Sequence, residues 1–326
     1  MKRTAVFLLA VFCLLIATGS VFAAGGKQQS SAGGTQKVYY IGKEAGSVYW
    51  QTVNRGADAA AKDLGINLIS LNPNSESEVD KQVTMVETAV NDKAAAIVLA
   101  PLDSQALIQP CINARNAGIP LIIVDSMIAS NDFDAAYMTD NYNGGELCAD
   151  FLAEQLNGTG TVFIINAVAG SGSLIARQAG FIDRMKSAHK GVRILNENDV
   201  IYCNNDPITA ATQAVDTIAA NPNLNAFFAP NTNVLKGVGQ GVKEAGKGGK
   251  VLVAGFDSDD DIVALVKEGV ITGMILQSPY KMGYMGVEGA LKRIKGEIPN
   301  NASVNDTGCF MATKANLDDP QIKELL

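Results

Sequence analysis

The stretch VLVAGFDSDDDIVALVKEGVITGMILQSPY, residues 251–280, contains two apolar runs of strand length, and a polar residue ends each of them. The first run closes on Phe256 and Asp257, and the second stops before Gln277. In parallel α/β sheets, ligands bind beyond the carboxyl ends of the strands. A ring and a carboxylate at such an end can stack on and hydrogen-bond to a small polar molecule. The stretch therefore predicts a binding site, and a catalytic site only if a reacting group accompanies it.

The rest of the chain alternates apolar runs with segments of helical period, which is typical of a parallel sheet with crossover helices. The pattern predicts, among others, a helix over 104–117 and a strand over 192–201. Since the predicted strands are too many for one ordinary sheet, we interpret the chain as two Rossmann-like α/β lobes with parallel sheets flanked by helices.

The lobe boundaries follow from the order of these segments. We expect residues 37–139 plus about 278–305 to form the N-terminal lobe, and residues 140–277 plus about 306–326 to form the C-terminal lobe. The sequence contains no Pro/Gly-rich linker between the halves, so close strand crossings should join the lobes. We place three hinge crossings, near Asp140, near Asn231–Thr232 and near Gln277–Ser278.

The N-terminus, residues 1–23, has the pattern of a secretory signal peptide. Lys2 and Arg3 precede an apolar run, and Val21 and Ala23 suit the cleavage-site positions. The run is shorter than the roughly 20 residues that span a bilayer. We therefore expect cleavage near Ala23, a periplasmic mature protein and a flexible linker over 24–36.

Charge and composition exclude several classes of partner and site. The full chain has a formal net charge of −7, and loss of Lys2 and Arg3 would make it −9. Nucleic acid and anionic membranes are therefore poor partners. Neither the cysteines nor the single histidine cluster, so no metal or cofactor is predicted. An oxidising compartment permits a disulfide, but the spacing does not decide between a disulfide and buried free thiols.

Three apparent motifs are better explained by ordinary structure. Asp257 to Asp261 and Glu268 imitate the spacing of a calcium loop, but Ile262 stands where that loop needs glycine, so the acids are predicted to begin a helix. The glycine-rich runs lack the lysine or the strand context of a phosphate loop. No nucleophile and base pair is apparent, so the chain is not predicted to be an enzyme.

A series of short motifs resembles the type I periplasmic sugar-binding proteins, close to their ribose-binding branch. The resemblance covers about residues 37–313, and its order and spacing are more specific than any single motif. The motifs that carry it are GSVYW (46–50), NRGADAAAKDLG (54–65), IVLAPLDS (97–104), GIPLIIVDS (118–126), TDNYNGGE (139–146), VAGSGSLIARQAGF (168–181), AFFAPNT (226–232), VAGFD (253–257) and ILQSP (275–279).

The resemblance implies a ligand site between the lobes, since this family encloses one monosaccharide there. Rings pack on the C–H faces of a sugar, while carboxylate, guanidinium and amide groups bind its hydroxyls. The residues that the resemblance places in the site are Tyr49, Trp50, Asp125, Arg177, Asn231, Phe256, Asp257 and Gln277, with Ser47, Ser126 and Asn205 as weaker candidates. For Asn231, capping of the following helix competes with ligand contact.

Four positions depart from the ribose binders and argue against ribose itself. Ser47 and Ala100 stand where asparagines are expected, Ser126 replaces an arginine, and Asn205 falls where a stacking phenylalanine is expected. The loss of a cation and an aromatic ring suggests a ligand of different shape or larger size.

These observations predict the extracytoplasmic solute-binding component of an ABC importer, a monomer that closes by hinge bending on a monosaccharide or small polyol. Its partner would be a membrane permease that recognises the closed form. Two alternatives keep the same fold. The ligand could be a furanosyl signalling molecule or a nucleoside, or the protein could be a sensor coupled to a chemoreceptor.

Overall fold

The computed structural model describes residues 37–326, so the predicted signal peptide and linker lie outside the described residues. The strands are β1 (Lys37–Ile41), β2 (Asn67–Leu71), β3 (Ala96–Leu99), β4 (Leu121–Val124), β5 (Ala135–Met138), β6 (Gly160–Asn166), β7 (Val192–Ile194), β8 (Ile201–Tyr202), β9 (Ala226–Ala229), β10 (Leu252–Phe256), β11 (Gly273–Leu276), β12 (Ser303–Asp306) and β13 (Phe310–Ala312). The helices are α1 (Val48–Leu64), α2 (Val79–Asn91), α3 (Ile108–Asn116), α4 (Asn141–Gln155), α5 (Gly172–Ala188), α6 (Pro207–Ala220), α7 (Thr232–Glu244), α8 (Asp260–Glu268), α9 (Pro279–Ile294) and α10 (Pro320–Lys323).

The strands form two separate sheets, which confirms the prediction of two α/β lobes. The first sheet has the order β12-β5-β4-β3-β1-β2 and is parallel throughout. The second has the order β13-β11-β10-β9-β6-β7, with β8 paired to β6. Only β13 in this second sheet runs antiparallel, against β11. Helices cover both faces of each sheet, so central strands such as β3, β4 and β9 are buried along their whole length.

Within residues 37–326, the chain passes between the two sheets three times. It leaves the first sheet after β5, returns to it after β11 through α9, and leaves again between β12 and β13. The first two passages lie where the sequence predicted hinges. The predicted hinge at Asn231–Thr232 is wrong, because β9 and α7 on either side of it both belong to the second lobe. The third passage runs through residues 307–309 instead.

Helices α1 and α9 pack closely on one face of the first sheet. A Cβ atom at Gly56 would lie 2.0 Å from the carbonyl oxygen of Tyr280, and one at Gly283 would lie 2.0 Å from that of Val53. Each glycine therefore permits a backbone approach that any side chain would block. Since α9 begins just after the second passage, this packing anchors that passage to the first lobe.

Two predicted elements are shorter than the sequence suggested. The strand predicted at 192–201 is split into β7 and β8, because the Asn196 side chain between them hydrogen-bonds to both N and O of Ile164, as a strand neighbour would. The helix predicted at 104–117 begins only at Ile108, because the Asp103 carboxylate accepts hydrogen bonds from the backbone N of Gln105 and Ala106 and holds a turn there.

The four cysteines after residue 36 are all free thiols, which answers the question that their spacing left open. Cys111, Cys148 and Cys203 are buried, and burial raises the pKa of the Cys111 thiol to about 12. Among residues 37–326, no helix is both long enough and apolar enough to cross a membrane.

Candidate functional site

Two aspartates follow equivalent strands of the two lobes and face one cavity. Asp125 comes directly after β4, and Asp257 comes directly after β10. Both adopt a left-handed backbone conformation, with φ of 64° and 72° respectively. Such a conformation costs free energy for any residue but glycine, although aspartate tolerates it better than most. The turn ends each strand and leaves the carboxylate at the edge of the sheet.

Asp125 is buried in the first lobe and has a cation beside it. Lys43 Nζ lies 2.9 Å from Asp125 Oδ2, and the hydroxyls of Tyr49 and Ser126 each donate a hydrogen bond of 2.8 Å to its carboxylate. Burial alone would raise the pKa of Asp125, but the charges of Lys43 and Arg177 and the hydrogen bonds outweigh it and lower that pKa. Asp125 is therefore held as a carboxylate.

Asp257 is equally buried in the second lobe, but its cation is more distant. Gln277 Nε2 donates to Asp257 Oδ1 at 2.6 Å, and Thr232 Oγ1 donates to Oδ2 at 3.3 Å. The guanidinium of Arg177 lies 3.9 Å from the same carboxylate. Burial raises the pKa of Asp257, and Arg177 and Gln277 offset only part of that effect.

Arg177 projects from α5 and is only 2% exposed. Its Nε donates to Asn141 Oδ1 and its Nη1 donates to the carbonyl oxygen of Pro230, both at 2.8 Å. The guanidinium also stacks on the ring of Phe256, with its carbon 4.2 Å from the ring centroid. These contacts fix the side chain and leave part of the guanidinium toward the cavity, which Arg177 lines.

The two predicted aromatic residues begin α1 and are buried. Their rings meet edge to face, with centroids 5.2 Å apart. Trp50 Nε1 donates to Glu76 Oε1 at 2.9 Å, while the Tyr49 hydroxyl is committed to Asp125. The polar atoms of both rings are thus satisfied by protein, so each offers its π face or edge to a ligand.

Side chains of both lobes line a cavity between the lobes, part of which is open to solvent. Nine predicted site residues line it together, namely Ser47, Tyr49, Trp50, Asp125, Arg177, Asn205, Asn231, Asp257 and Gln277. The structure therefore brings residues from both lobes to one cavity.

Two predicted residues do not line the cavity. Phe256 is fully buried behind Arg177, where its ring also meets that of Phe228 edge to face. Its ring packs against the guanidinium of Arg177, so Phe256 positions Arg177 and does not line the cavity. Ser126 is fully buried as well, and its hydroxyl lies between Lys43 and Ser173.

Asn231 caps a helix and lines the cavity at once. Its Oδ1 accepts a hydrogen bond from the backbone N of Val234 at 3.1 Å, which caps α7. Its Nδ2 donates to Asn205 Oδ1 at 2.8 Å. Asn231 therefore caps α7, and because both polar atoms of its side chain already have partners in the protein, only a limited part of it is available to contact a ligand.

Three charged residues of the cavity were missed from the sequence. Lys43 stands two residues beyond β1, so the rule that ligands bind at strand ends could have found it. It supplies a cation next to Asp125, which corrects the expectation that the Ser126 replacement leaves this place without one. Glu44 and Glu76 also line the cavity, but they lie in loops whose positions the sequence pattern does not fix.

The lobes touch each other around the cavity. Lys43 Nζ of the first lobe donates to Ser171 Oγ of the second at 3.2 Å. The backbone N of Ser104 donates to the carbonyl oxygen of Gly170 at 2.9 Å. Asn205 of the second lobe donates to Glu44 Oε2 at 3.3 Å. The structure therefore holds the two lobes in a closed arrangement.

The acids at 257–261 begin a helix, as predicted. Asp259 is the N-cap of α8 and accepts a hydrogen bond from the backbone N of Ile262 at 2.8 Å, while Lys236 pairs with it at 2.7 Å. Within residues 37–326, no group of three or more His, Cys, Asp or Glu side chains is arranged to hold a metal ion.

Comparison with known proteins agrees with this fold. Residues 38–298 match the family described as the periplasmic binding protein domain. A solute-binding protein of a carbohydrate transporter from Agrobacterium radiobacter, solved in complex with D-arabinose, is 37% identical, with a TM-score of 0.85 over 90% of this chain and 99% of that one. An ABC transporter solute-binding protein from Agrobacterium vitis, solved with bound D-fucose, is 36% identical, with a TM-score of 0.84 over 89% of this chain and 99% of that one.

A curated relative gives the same result. The D-allose-binding periplasmic protein of Escherichia coli is 30% identical over 254 residues, which cover 76% of this chain and 80% of that protein. The family is one of solute-binding proteins, which carry solutes and do not transform them. The chain therefore belongs to the periplasmic binding protein domain family, in the branch that resembles the sugar-binding components of ABC transporters.

Proposed function

We propose that this protein is the extracytoplasmic solute-binding component of an ABC importer and that it binds a monosaccharide or a similar small polyol between its lobes. The observation that carries the proposal is the cavity itself, in which polar groups from both lobes converge beside two aromatic rings. This is the chemistry that a sugar needs, since its C–H faces pack on rings and its hydroxyls require donors and acceptors.

The similar proteins narrow the ligand class. The Agrobacterium structures hold D-arabinose and D-fucose, and the Escherichia coli relative is named for D-allose. All three are single sugars, whose hydroxyls match the polar side chains that line the interlobe cavity. The buried residues Asp125, Arg177, Asp257 and Gln277 are the hydroxyl-binding groups in this proposal, with Tyr49 and Trp50 as the apolar wall.

Binding is coupled to closure in this proposal. The ligand contacts both lobes at once, so it stabilises the closed arrangement over an open one by its differential affinity for the two. The passages at 139–140, 277–278 and 307–309 are the hinge segments, because the chain moves between the sheets only there within residues 37–326. A membrane permease then recognises the closed protein.

Export to the periplasm is part of the same proposal. The family is one of periplasmic proteins, and residues 1–23 carry the pattern of a signal peptide. We expect the mature protein to begin at Ala24 and to appear in the periplasmic fraction of its cell.

A thermal-shift screen tests the binding proposal. The mature protein is heated with a panel of pentoses, hexoses, polyols and nucleosides, since a ligand at 100 times its Kd adds about 2.7 kcal/mol of stability. We expect at least one monosaccharide to raise Tm clearly. Silence from every sugar and polyol would refute the proposal, and a response to nucleosides alone would favour the alternative ligand class.

A matched pair of variants locates the site. Gln277→Leu removes a buried amide that lines the cavity, and Gln240→Leu removes an exposed one on α7. The first should lose most of the sugar-induced shift and the second none. An undiminished shift in Gln277→Leu would place the ligand elsewhere.

A further inference from the structure

Two glutamates of the first lobe line the cavity without a cation to neutralise them. Glu76 is 9% exposed and accepts a hydrogen bond from Trp50, and Glu44 is partly buried and accepts one from Asn205. Neither forms an ion pair with any side chain of residues 37–326. Both carboxylates therefore bring negative charge to a space that closure removes from water.

The cations of the cavity are already engaged elsewhere. The cavity has four carboxylates in its wall, those of Glu44, Glu76, Asp125 and Asp257, and two cationic side chains. Lys43 is paired with Asp125 at 2.9 Å, and Arg177 lies 3.9 Å from Asp257. The strand-end aspartates thus use both cations. An unpaired buried charge is costly, so the glutamates need either a proton or a cation from outside the protein.

A second observation in the same cavity also points to a ligand rich in hydrogen-bond donors. Gln277 is 3% exposed, and its Oε1 is buried without a hydrogen-bond partner in the described part of the chain. Because its Nε2 donates to Asp257, the free atom is an acceptor. The unmet need of this cavity is therefore for N–H or O–H donors and for positive charge.

We propose that the ligand is an amino sugar or amino polyol whose protonated amine faces Glu44 and Glu76. The proposal rests on the proposed function, since it names the class of sugar that the cleft takes. The ammonium group supplies charge-assisted hydrogen bonds to carboxylates that no other group neutralises, and the remaining hydroxyls meet Gln277 and the strand-end aspartates.

With a neutral sugar in the cavity, the negative charge of the glutamates would have to be removed in another way, by binding of a proton. Burial raises the pKa of Glu44 to about 7, and the charge of Glu76 adds to that effect. Closure around a neutral sugar would then take up a proton from solvent. An ammonium group satisfies both carboxylates at pH 7 without proton uptake, and this difference can be measured.

The test is isothermal titration calorimetry with matched pairs of ligands on the mature protein. D-glucosamine is compared with D-glucose, D-galactosamine with D-galactose, and 6-amino-6-deoxy-D-glucose with D-glucose, while N-acetyl-D-glucosamine serves as an uncharged control. We expect at least one amine to bind about tenfold or more tightly than its hydroxyl partner, as a hydrogen bond between charged groups allows. Repetition in buffers of different ionisation enthalpy reports proton uptake.

Two variants assign the effect to these carboxylates. In Glu44→Gln and in Glu76→Gln, the preference for the amine, measured as the ratio of its affinity to that of the matched neutral sugar, should fall about tenfold. Glu154→Gln, an exposed position on α4, should keep the wild-type preference.

The outcomes separate this inference from the proposed function. If neutral sugars bind as tightly as their amines, or if the amines bind with the same proton uptake as the neutral sugars, the cationic-ligand proposal is wrong and the sugar-binding function stands. If no sugar of either kind binds, both are wrong. Correct folding of each variant is checked by circular dichroism.

Discussion

Asp125 and Asp257 occupy equivalent places in the two lobes, but their surroundings shift their pKa values in opposite directions. Each follows a buried parallel strand, has a positive φ and faces the same cavity. Lys43 lies 2.9 Å from Asp125, whereas Arg177 lies 3.9 Å from Asp257 and is bound to Asn141 and Pro230. The pKa of Asp125 is therefore lowered and that of Asp257 is raised.

The two walls of the cavity therefore differ in how far the protein itself neutralises their carboxylates. The first lobe presents a fixed carboxylate whose charge is neutralised by protein. The second presents a carboxylate that is only partly neutralised and that depends on Gln277 and Thr232 for hydrogen bonds. A ligand that donates hydrogen bonds to Asp257 stabilises its charged form, so ligand binding contributes more to this wall than to the other.

Substitution of each aspartate by asparagine should reveal the difference between the two sites most clearly, as unequal losses of unfolding free energy. Asparagine accepts the left-handed backbone at both positions. Asp125→Asn leaves Lys43 buried without its ion-pair partner and should cost about 3 kcal/mol of unfolding free energy. Asp257→Asn removes a charge that burial already disfavours and that Arg177 offsets only from 3.9 Å, so it should cost less, about 1 kcal/mol. Urea denaturation measures both, with the exposed Asp260→Asn as control.

The pH dependence of stability should have opposite signs at the two sites. Because its pKa is lowered, Asp125 contributes to the free energy of unfolding above the ordinary aspartate pKa, and this contribution is lost as pH falls through the folded-state pKa. Because its pKa is raised, Asp257 contributes to the free energy of unfolding below the ordinary aspartate pKa, and this contribution is lost as pH rises through the folded-state pKa. Curves of wild type minus each variant that slope the same way would contradict this comparison.

A substitution that keeps the two lobes apart should weaken ligand binding, with a smaller free-energy effect than that of Asp125→Asn on stability. Gly172 begins α5 in the second lobe, and a Cβ atom there would lie 2.3 Å from the carbonyl oxygen of Met127 in the first. Gly172→Ala should therefore hinder closure and weaken the selected sugar about tenfold, measured by calorimetry. Gly46→Ala has open space around it and should bind like the wild type. Equal affinities for both variants would mean that closure is not needed.

Glu44 should give the smallest effect, on the stability of the ligand-free protein. Its pKa is raised from the ordinary 4.5 to about 7 by burial and by Glu76, with Lys43 and Asn205 also near it. The contribution of Glu44 to the free energy of unfolding is full below pH 4.5 and is lost as pH rises through 7. Because Glu44 is partly exposed, the wild type should lose about 1 kcal/mol of this free energy relative to Glu44→Gln between pH 5 and 8. Chemical denaturation at both pH values measures the loss, and parallel curves would contradict the raised pKa.

The sequence pattern was enough to predict the sheets and the strand-end part of the site. Asp125, Asp257 and Gln277 could be placed because the carboxyl ends of parallel strands meet along one edge, whatever the loops do. Tyr49 and Trp50 could be placed because they follow the first loop in the family pattern. The strand ends at Asp257 and Gln277 follow from periodicity, whereas Asp125, Tyr49 and Trp50 were placed in the site by the family resemblance.

The residues that sequence reasoning missed or misplaced depend on contacts between distant segments. Lys43 reaches Asp125 across the sheet, and no pattern in either segment indicates that ion pair. Phe256 stood next to Asp257 in sequence, but its ring packs against the guanidinium of Arg177 and does not line the cavity. The hinge at Asn231–Thr232 was misplaced because the chain order of β9 and α7 does not reveal which lobe each joins.

The claim that a sugar-like ligand binds between the two lobes is tested most directly by calorimetric titration of the ligand found in the screen into wild type, Asp125→Asn and Asp257→Asn. Both walls contact the ligand in this account, so each variant should bind at least about tenfold more weakly while folded, as loss of a hydrogen bond to a charged group predicts. Asp260→Asn should bind as wild type does. Wild-type affinity in both Asp125→Asn and Asp257→Asn would contradict it.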